Sequence, residues 1–190
     1  MKNASFLFFL CLFFYTSCSD YAPKPSGYFR IELNEPEYEI YTDPAIHILF
    51  NVQKLTRMEA VADTTDDKWF NIVYPALNAK IFCSFLPVKS RDDLIKISED
   101  SHKFVYKHTI KSDGISTRPY SDPDNQVYAL IYDIEGNVAS PLQFVITDST
   151  RYFFRGSLYF DSTPNQDSIA PVKSYILNDI HEIIRSFRYQ

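Results

Sequence analysis

The stretches QVYALIYDI (126–134), LQFVIT (142–147) and RYFFRGSLYF (151–160) decide the fold. Each is rich in β-branched and aromatic residues, which suit a pleated, half-buried surface. Only short polar breaks separate them: Glu135-Gly136-Asn137, then Asp148-Ser149-Thr150. Strands joined so closely pair antiparallel, as a meander. The triplet Asp148-Ser149-Thr150, and likewise Asp161-Ser162-Thr163 after the last strand, is expected to be a turn, because Asp and Ser side chains bond their own backbone.

Beyond residue 165 the period changes. Val172, Ile176, Ile180, Ile183, Ile184 and Phe187 fall on one helical stripe, so a helix is expected from about residue 168 or 171 to 187. Lys173, Asn178, Asp179, Glu182 and Arg185 are expected to face water. Upstream of the meander, 114–120 is a short strand. Before it, Ser90-Arg91-Asp92-Asp93 has the form of a helix start, with a capping serine and acids in the first turn. Leu94, Ile97, Ser101, Phe104, Val105 and His108 follow at helical spacing, giving a helix to about residue 109. Strands are expected at 45–52, 69–74 and 79–86, the last with Ala79, Ile81, Cys83 and Phe85 on one face. The stretch 52–68 is polar and irregular, as a surface loop would be. The result is an α+β fold, an antiparallel sheet with two helices packed on it. Its order of elements and closing Ser-Phe resemble the PsbP/Mog1 class of small domains.

The first residues are of another kind. Lys2 gives a positive start, residues 6–15 are an apolar run, and Thr16-Ser17 precede Cys18. The run is the length of a secretory h-region and too short for a permanent span. Tyr15-Thr16-Ser17-Cys18 fits a lipobox, so 1–17 is expected to be a lipoprotein signal peptide, cut before Cys18. Residues 18–27 form a proline-containing lipidated tether, and 28–190 a single α+β domain. One acyl chain holds a protein at a membrane only marginally, whereas two or three hold it stably. Ser19 after the cysteine points to the outer membrane, facing the periplasm.

Net charge is −5 and there is no basic patch, so nucleic acid is not an expected partner. With Cys11 lost and Cys18 acylated, Cys83 is left with no cysteine to pair with. Its place on an apolar strand face predicts burial rather than nucleophilic chemistry. No phosphate-cradling glycine loop, Cys-x-x-Cys or Gly-x-Ser-x-Gly occurs. His47, His102, His108 and His181 show no ligand spacing, and no metal or cofactor is expected. Glu32, Glu35, Glu37 and Glu39 cluster; on a strand the last three would share one face, most simply a solvated edge.

Six segments carry a family resemblance: PKPSGYFR (23–30), NIVYP (71–75), GNVAS (136–140), QFVITDST (143–150), GSLYF (156–160) and PNQDSIAP (164–171). In this order, after a lipobox, they resemble the gliding motility lipoprotein GldD family of the Bacteroidetes. The resemblance covers essentially the chain beyond Cys18. It implies a part in gliding motility and in assembly or stability of the type IX secretion apparatus, beside other motility or secretion lipoproteins. The family brings no catalytic residues, and the chain is not expected to be an enzyme.

Two readings follow for the site. In the first, the loop 161–171, with Pro164, Asn165, Asp167 and Pro171, is a stiff partner-binding surface; it reads equally as a connector to the last helix. The alternative is an envelope ligand-binding module for glycan or peptidoglycan, with Tyr128, Tyr132, Tyr152 and Tyr159 as aromatic platforms or, equally, as sheet packing.

Overall fold

The structure, a computed structural model, describes residues 33–61, 68–107, 112–161 and 165–190. The signal segment, Cys18 and the tether lie outside the described residues, as do Glu32, His108, Ser162, Thr163 and Pro164. Along the chain run β1 (Tyr38–Asp43), β2 (Ile48–Gln53), β3 (Arg57–Ala60), β4 (Lys68–Tyr74), a 3-10 turn (Pro75–Leu77), β5 (Ala79–Pro87) and α1 (Arg91–Lys107). Then come β6 (Gly114–Asp122), β7 (Val127–Glu135), β8 (Leu142–Thr147), β9 (Tyr152–Phe160), α2 (Gln166–Ser186) and β10 (Arg188–Tyr189).

The fold is α+β and its strands pair antiparallel, but in two sheets rather than one. Seven strands run in the order β3-β4-β5-β9-β8-β7-β6, and three in the order β1-β2-β10. The meander β7-β8-β9 forms as its turns dictate. Asp148 Oδ1 accepts the Thr150 and Arg151 backbone N–H groups at 2.9 and 2.7 Å, closing the β8–β9 connection. Three elements exceed what the pattern predicts. β1 is only half-buried, so it lacks a clean alternation. β3 is four residues long, polar, and an edge whose Glu59 pairs with Arg57 and Lys80; such charges guard an open edge. β10 is two residues that exist only by pairing with distant β2.

One face of the large sheet holds the main core. Phe70 and Ile72 of β4, Ile81 and Cys83 of β5, Phe144 of β8 and Phe154 of β9 meet the inward side of β2 and the stripe of α2 in one buried cluster. Phe187 stacks on Phe50 at 5.9 Å and lies 5.4 Å from Phe154. Burying each such ring contributes about 1.5–3 kcal/mol over leaving it in water. Gly156 allows the closest approach: a Cβ there would overlap the Phe144 ring.

Local chemistry sets the helix ends. Ser90 Oγ accepts the Asp93 N–H at 3.1 Å while Asp93 Oδ2 accepts the Lys89 N–H at 2.9 Å, a reciprocal cap. Asn165 caps α2, accepting the Ser168 N–H at 3.3 Å. On α1 only Ser101 and Val105 of the expected stripe are fully buried. On α2 the expected solvent face is partly internal. Tyr175, Asp179, Glu182 and Ser186 lie three or four residues apart and turn toward the small sheet. Tyr38 donates to Asp179, Gln53 to Tyr175, Asn51 Nδ2 to Glu182, and the Asn51 N–H to Ser186. Asp179 is therefore 1 % exposed rather than solvated. A second small sheet with polar strand positions gives it partners that one sheet would not.

Candidate functional site

Among the described residues, the second face of the large sheet is covered at one end only. There Val105 of α1 packs with Tyr132, Ile134 and Val138. Beyond α1 no other described element lies over the strands, and their register builds a hollow row by row. Trp69 stands opposite Ser84, and Ser84 opposite Arg155. Two residues along, Asn71 faces Phe82, Phe82 faces Ser157, and Ser157 faces Gln143. In the third row Lys80 faces Tyr159. Small serines occupy the middle of the floor and large side chains the rim, which leaves a cleft of about 710 Å³. Phe104 of α1 closes one end. The volume lies within the range usual for small-molecule sites, roughly 300–1,000 Å³.

The rim is aromatic and exposed: Trp69 47 %, Phe82 48 % and Phe104 47 %. A cluster of large apolar side chains left in water marks a contact surface. Phe82 and Tyr159 meet edge to face at 5.3 Å. Arg155 lays its guanidinium over the Phe104 ring at 4.8 Å. Among the described residues no carboxylate pairs with it. Burial holds its pKa below the ordinary value, against the opposing pull of Tyr159. The floor also carries polar groups without partners. The Gln143 side chain makes no hydrogen bond among the described residues although the residue is 3 % exposed, and the Ser84 hydroxyl is enclosed and unsatisfied. Unpaired buried polar groups are rare enough to call for a reason.

The residues singled out from the sequence fall elsewhere. The last helix starts earlier than expected: Asn165 is already the cap, Asp167 lies in the first turn of α2, and Pro171 lies inside the helix. The Gln166 side chain accepts the Gly136 N–H, and Asn137 Oδ1 accepts the Gln166 N–H at 2.9 Å. The start of α2 is thus fixed to the Gly136 turn, whose φ of 100° suits glycine. Of the four platform tyrosines, only Tyr159 lines the cleft. Tyr152 is core, stacked with Phe85 and Tyr189; Tyr132 is buried under α1; Tyr128 borders a smaller hollow at the other end. Of Glu35, Glu37 and Glu39, only Glu39 is in a strand, and Glu37 pairs with Lys54 at 2.9 Å. His102 stacks on Tyr106, and burial lowers the His181 pKa. Among the described residues no group of three His, Cys, Asp or Glu is placed to hold a metal. The rim residues Trp69, Phe82 and Phe104 and the cation Arg155 were not singled out. Alternation alone could have found two of them: with Phe70 and Ile72 inside, Trp69 points out, and Phe82 lies between inward Ile81 and Cys83.

The model of the family described as gliding motility lipoprotein GldD matches residues 18–189. The chain belongs to that family. It is therefore a lipoprotein of the gliding motility class, associated with the cell envelope. No curated protein matches the chain. Among solved structures it is similar to cyanobacterial PsbP (CyanoP) from Synechocystis, at 14 % identity and a TM-score of 0.49, over 83 % of this chain and 95 % of that one. No helix among the described residues is long and apolar enough to cross a membrane.

Proposed function

We propose that the chain is exported, cut before Cys18, lipidated there and held at the outer membrane facing the periplasm. From there it supports assembly or stability of the type IX secretion machinery by contact rather than catalysis. The observation that carries this reading is the extent of the family match, which starts at Cys18 and runs to residue 189. The domain division 1–17, 18–27 and 28–190 goes with it. Burial of the Cys83 thiol, whose pKa is pushed up by desolvation, agrees with a role that needs no nucleophile. The start of α2, where Asn165, Asp167 and Pro171 are exposed, is the proposed contact surface with another motility or secretion lipoprotein.

The test is the amount of type IX cargo in the medium, from a deletion strain and from the same strain complemented. Cargo should fall and return with the gene. A complementing chain with Asp167→Ala and Pro171→Ala, present at normal level, should restore it only in part. Unchanged secretion in the deletion strain removes the secretion role, and full restoration by the double variant removes the contact surface.

A further inference from the structure

Among the described residues that line the cleft the cation is Arg155, and it is held in a particular way. Phe104 takes the face of the Arg155 guanidinium at 4.8 Å, which leaves the in-plane N–H donors for another group. That edge is the part of arginine that grips a carboxylate or phosphate with two parallel hydrogen bonds. The carboxylate at the cleft's other end, Asp161, is six residues further along the β9 direction, about 20 Å at strand rise, too far to neutralise Arg155. Between them lies an aromatic channel of Trp69, Phe82 and Tyr159 over a floor of serines. The Gln143 side chain, nine-tenths buried and without a hydrogen bond among the described residues, adds a polar group to the floor on its β8 side, opposite Ser157. The enclosed Ser84 hydroxyl is out of reach of a bound molecule. Asn71, Ser157 and the Tyr159 hydroxyl add polar groups to the lining, but Val61, Trp69, Phe82, Phe104 and Phe160 make most of its exposed surface apolar, which suits an acyl chain better than the many hydroxyls of a sugar.

We propose that this cleft binds an anionic amphiphile, a carboxylate or phosphate head on an alkyl body, with the head on the Arg155 guanidinium and the body along Trp69, Phe82 and Tyr159. The site is independent of the secretion reading, since it rests on the cleft alone. Arg155 selects the charge, and the aromatic walls select length and apolarity. A fatty acid or a single-chain phospholipid of the surrounding envelope has this form.

Trp69 is the one tryptophan of the chain, so its fluorescence reports on the cleft without a label. The experiment titrates the mature chain carrying Cys18→Ser, which needs no detergent, with dodecanoate, dodecyl phosphate, dodecyl maltoside and dodecyltrimethylammonium, each below its micelle concentration. Acetate and galacturonate serve as anions without a tail. Saturable change with dodecanoate or dodecyl phosphate is expected, with the tighter of the two naming the head group. The cationic and neutral heads should bind at least about ten-fold more weakly, the effect expected from losing charge-assisted hydrogen bonds. Arg155→Gln should weaken dodecanoate by about the same factor, and Ser157→Leu, which fills the floor and leaves the charge, should abolish binding. Equal binding of anionic and cationic heads in the wild-type chain overturns the proposal, as does absence of any saturable signal. Galacturonate binding as tightly as dodecanoate also overturns it, in favour of an anionic glycan.

Discussion

The Tyr38 hydroxyl donates to Asp179 Oδ1 at 2.8 Å, joining β1 to the middle of α2 across 141 residues. The other oxygen, Oδ2, is buried and accepts no hydrogen bond of normal geometry, although the nearby Tyr74 hydroxyl favours the charged form. Burial outweighs both tyrosines and holds the carboxyl above its ordinary pKa. A raised folded pKa means that the stability linked to this group is complete below the unfolded value, about pH 4, and is lost as pH rises through the folded value. Wild type should therefore lose stability relative to Asp179→Asn as pH climbs from about 4 toward 7. Melting temperatures across that range check this, and parallel profiles for the two chains would sink it.

Asp148 has the opposite sign. Burial works to raise its pKa, but the Arg151 N–H, the Arg151 guanidinium and the N–H groups of Thr150 and Tyr152 together hold it below the ordinary value. Its contribution is present above about pH 4 and lost as pH falls through the depressed value. Asp148→Ala is expected to cost about 1–3 kcal/mol at neutral pH, by leaving the N–H groups of the β8–β9 turn without their acceptor. The gap from wild type should narrow at about pH 3, as read from urea midpoints. A gap that stays constant with pH would show that the turn is held by something else.

Gly156 is expected to admit no larger residue cheaply, because a Cβ would meet the Phe144 ring. Overpacking of this kind costs about 1–3 kcal/mol, so Gly156→Ala should shift the denaturant midpoint by that amount. Phe144→Leu in the same chain should recover part of the loss, a coupling that a double-mutant cycle measures. Strict additivity of the two changes would mean that the ring is not what resists the methyl group.

Cys83 lies in the main core, and burial pushes its thiol well above the ordinary value. A water-soluble disulfide reagent should leave it unmodified in the native chain and modify it promptly in denaturant. Prompt labelling under native conditions would place Cys83 nearer to solvent than the fold allows.

Local chemistry was legible in the sequence, and juxtaposition was not. Ser90 and Asp93 announce the start of α1 because a cap is made within four residues. Alternation places Cys83 inside, and turn residues fix β7 to β9. Asp179 looked solvated, since the strands that bury it and the tyrosine that meets it are set far away in the chain. Phe104 fell on the expected inner stripe of α1, yet half of it is in water, because the helix covers only one end of its sheet face. The cleft needs Trp69, Phe82, Phe104 and Arg155 together, and only the strand order β4-β5-β9 brings three of them side by side.

The measurement that bears most directly on the account is the fraction of the protein that stays with membranes after a high-salt wash, for the wild-type chain and for Cys18→Ser. Salt releases a protein held by surface charge and leaves one held by two or three acyl chains. The wild-type chain should remain with the membrane and the variant should leave it. Equal retention of both, or release of both, would contradict anchoring through Cys18.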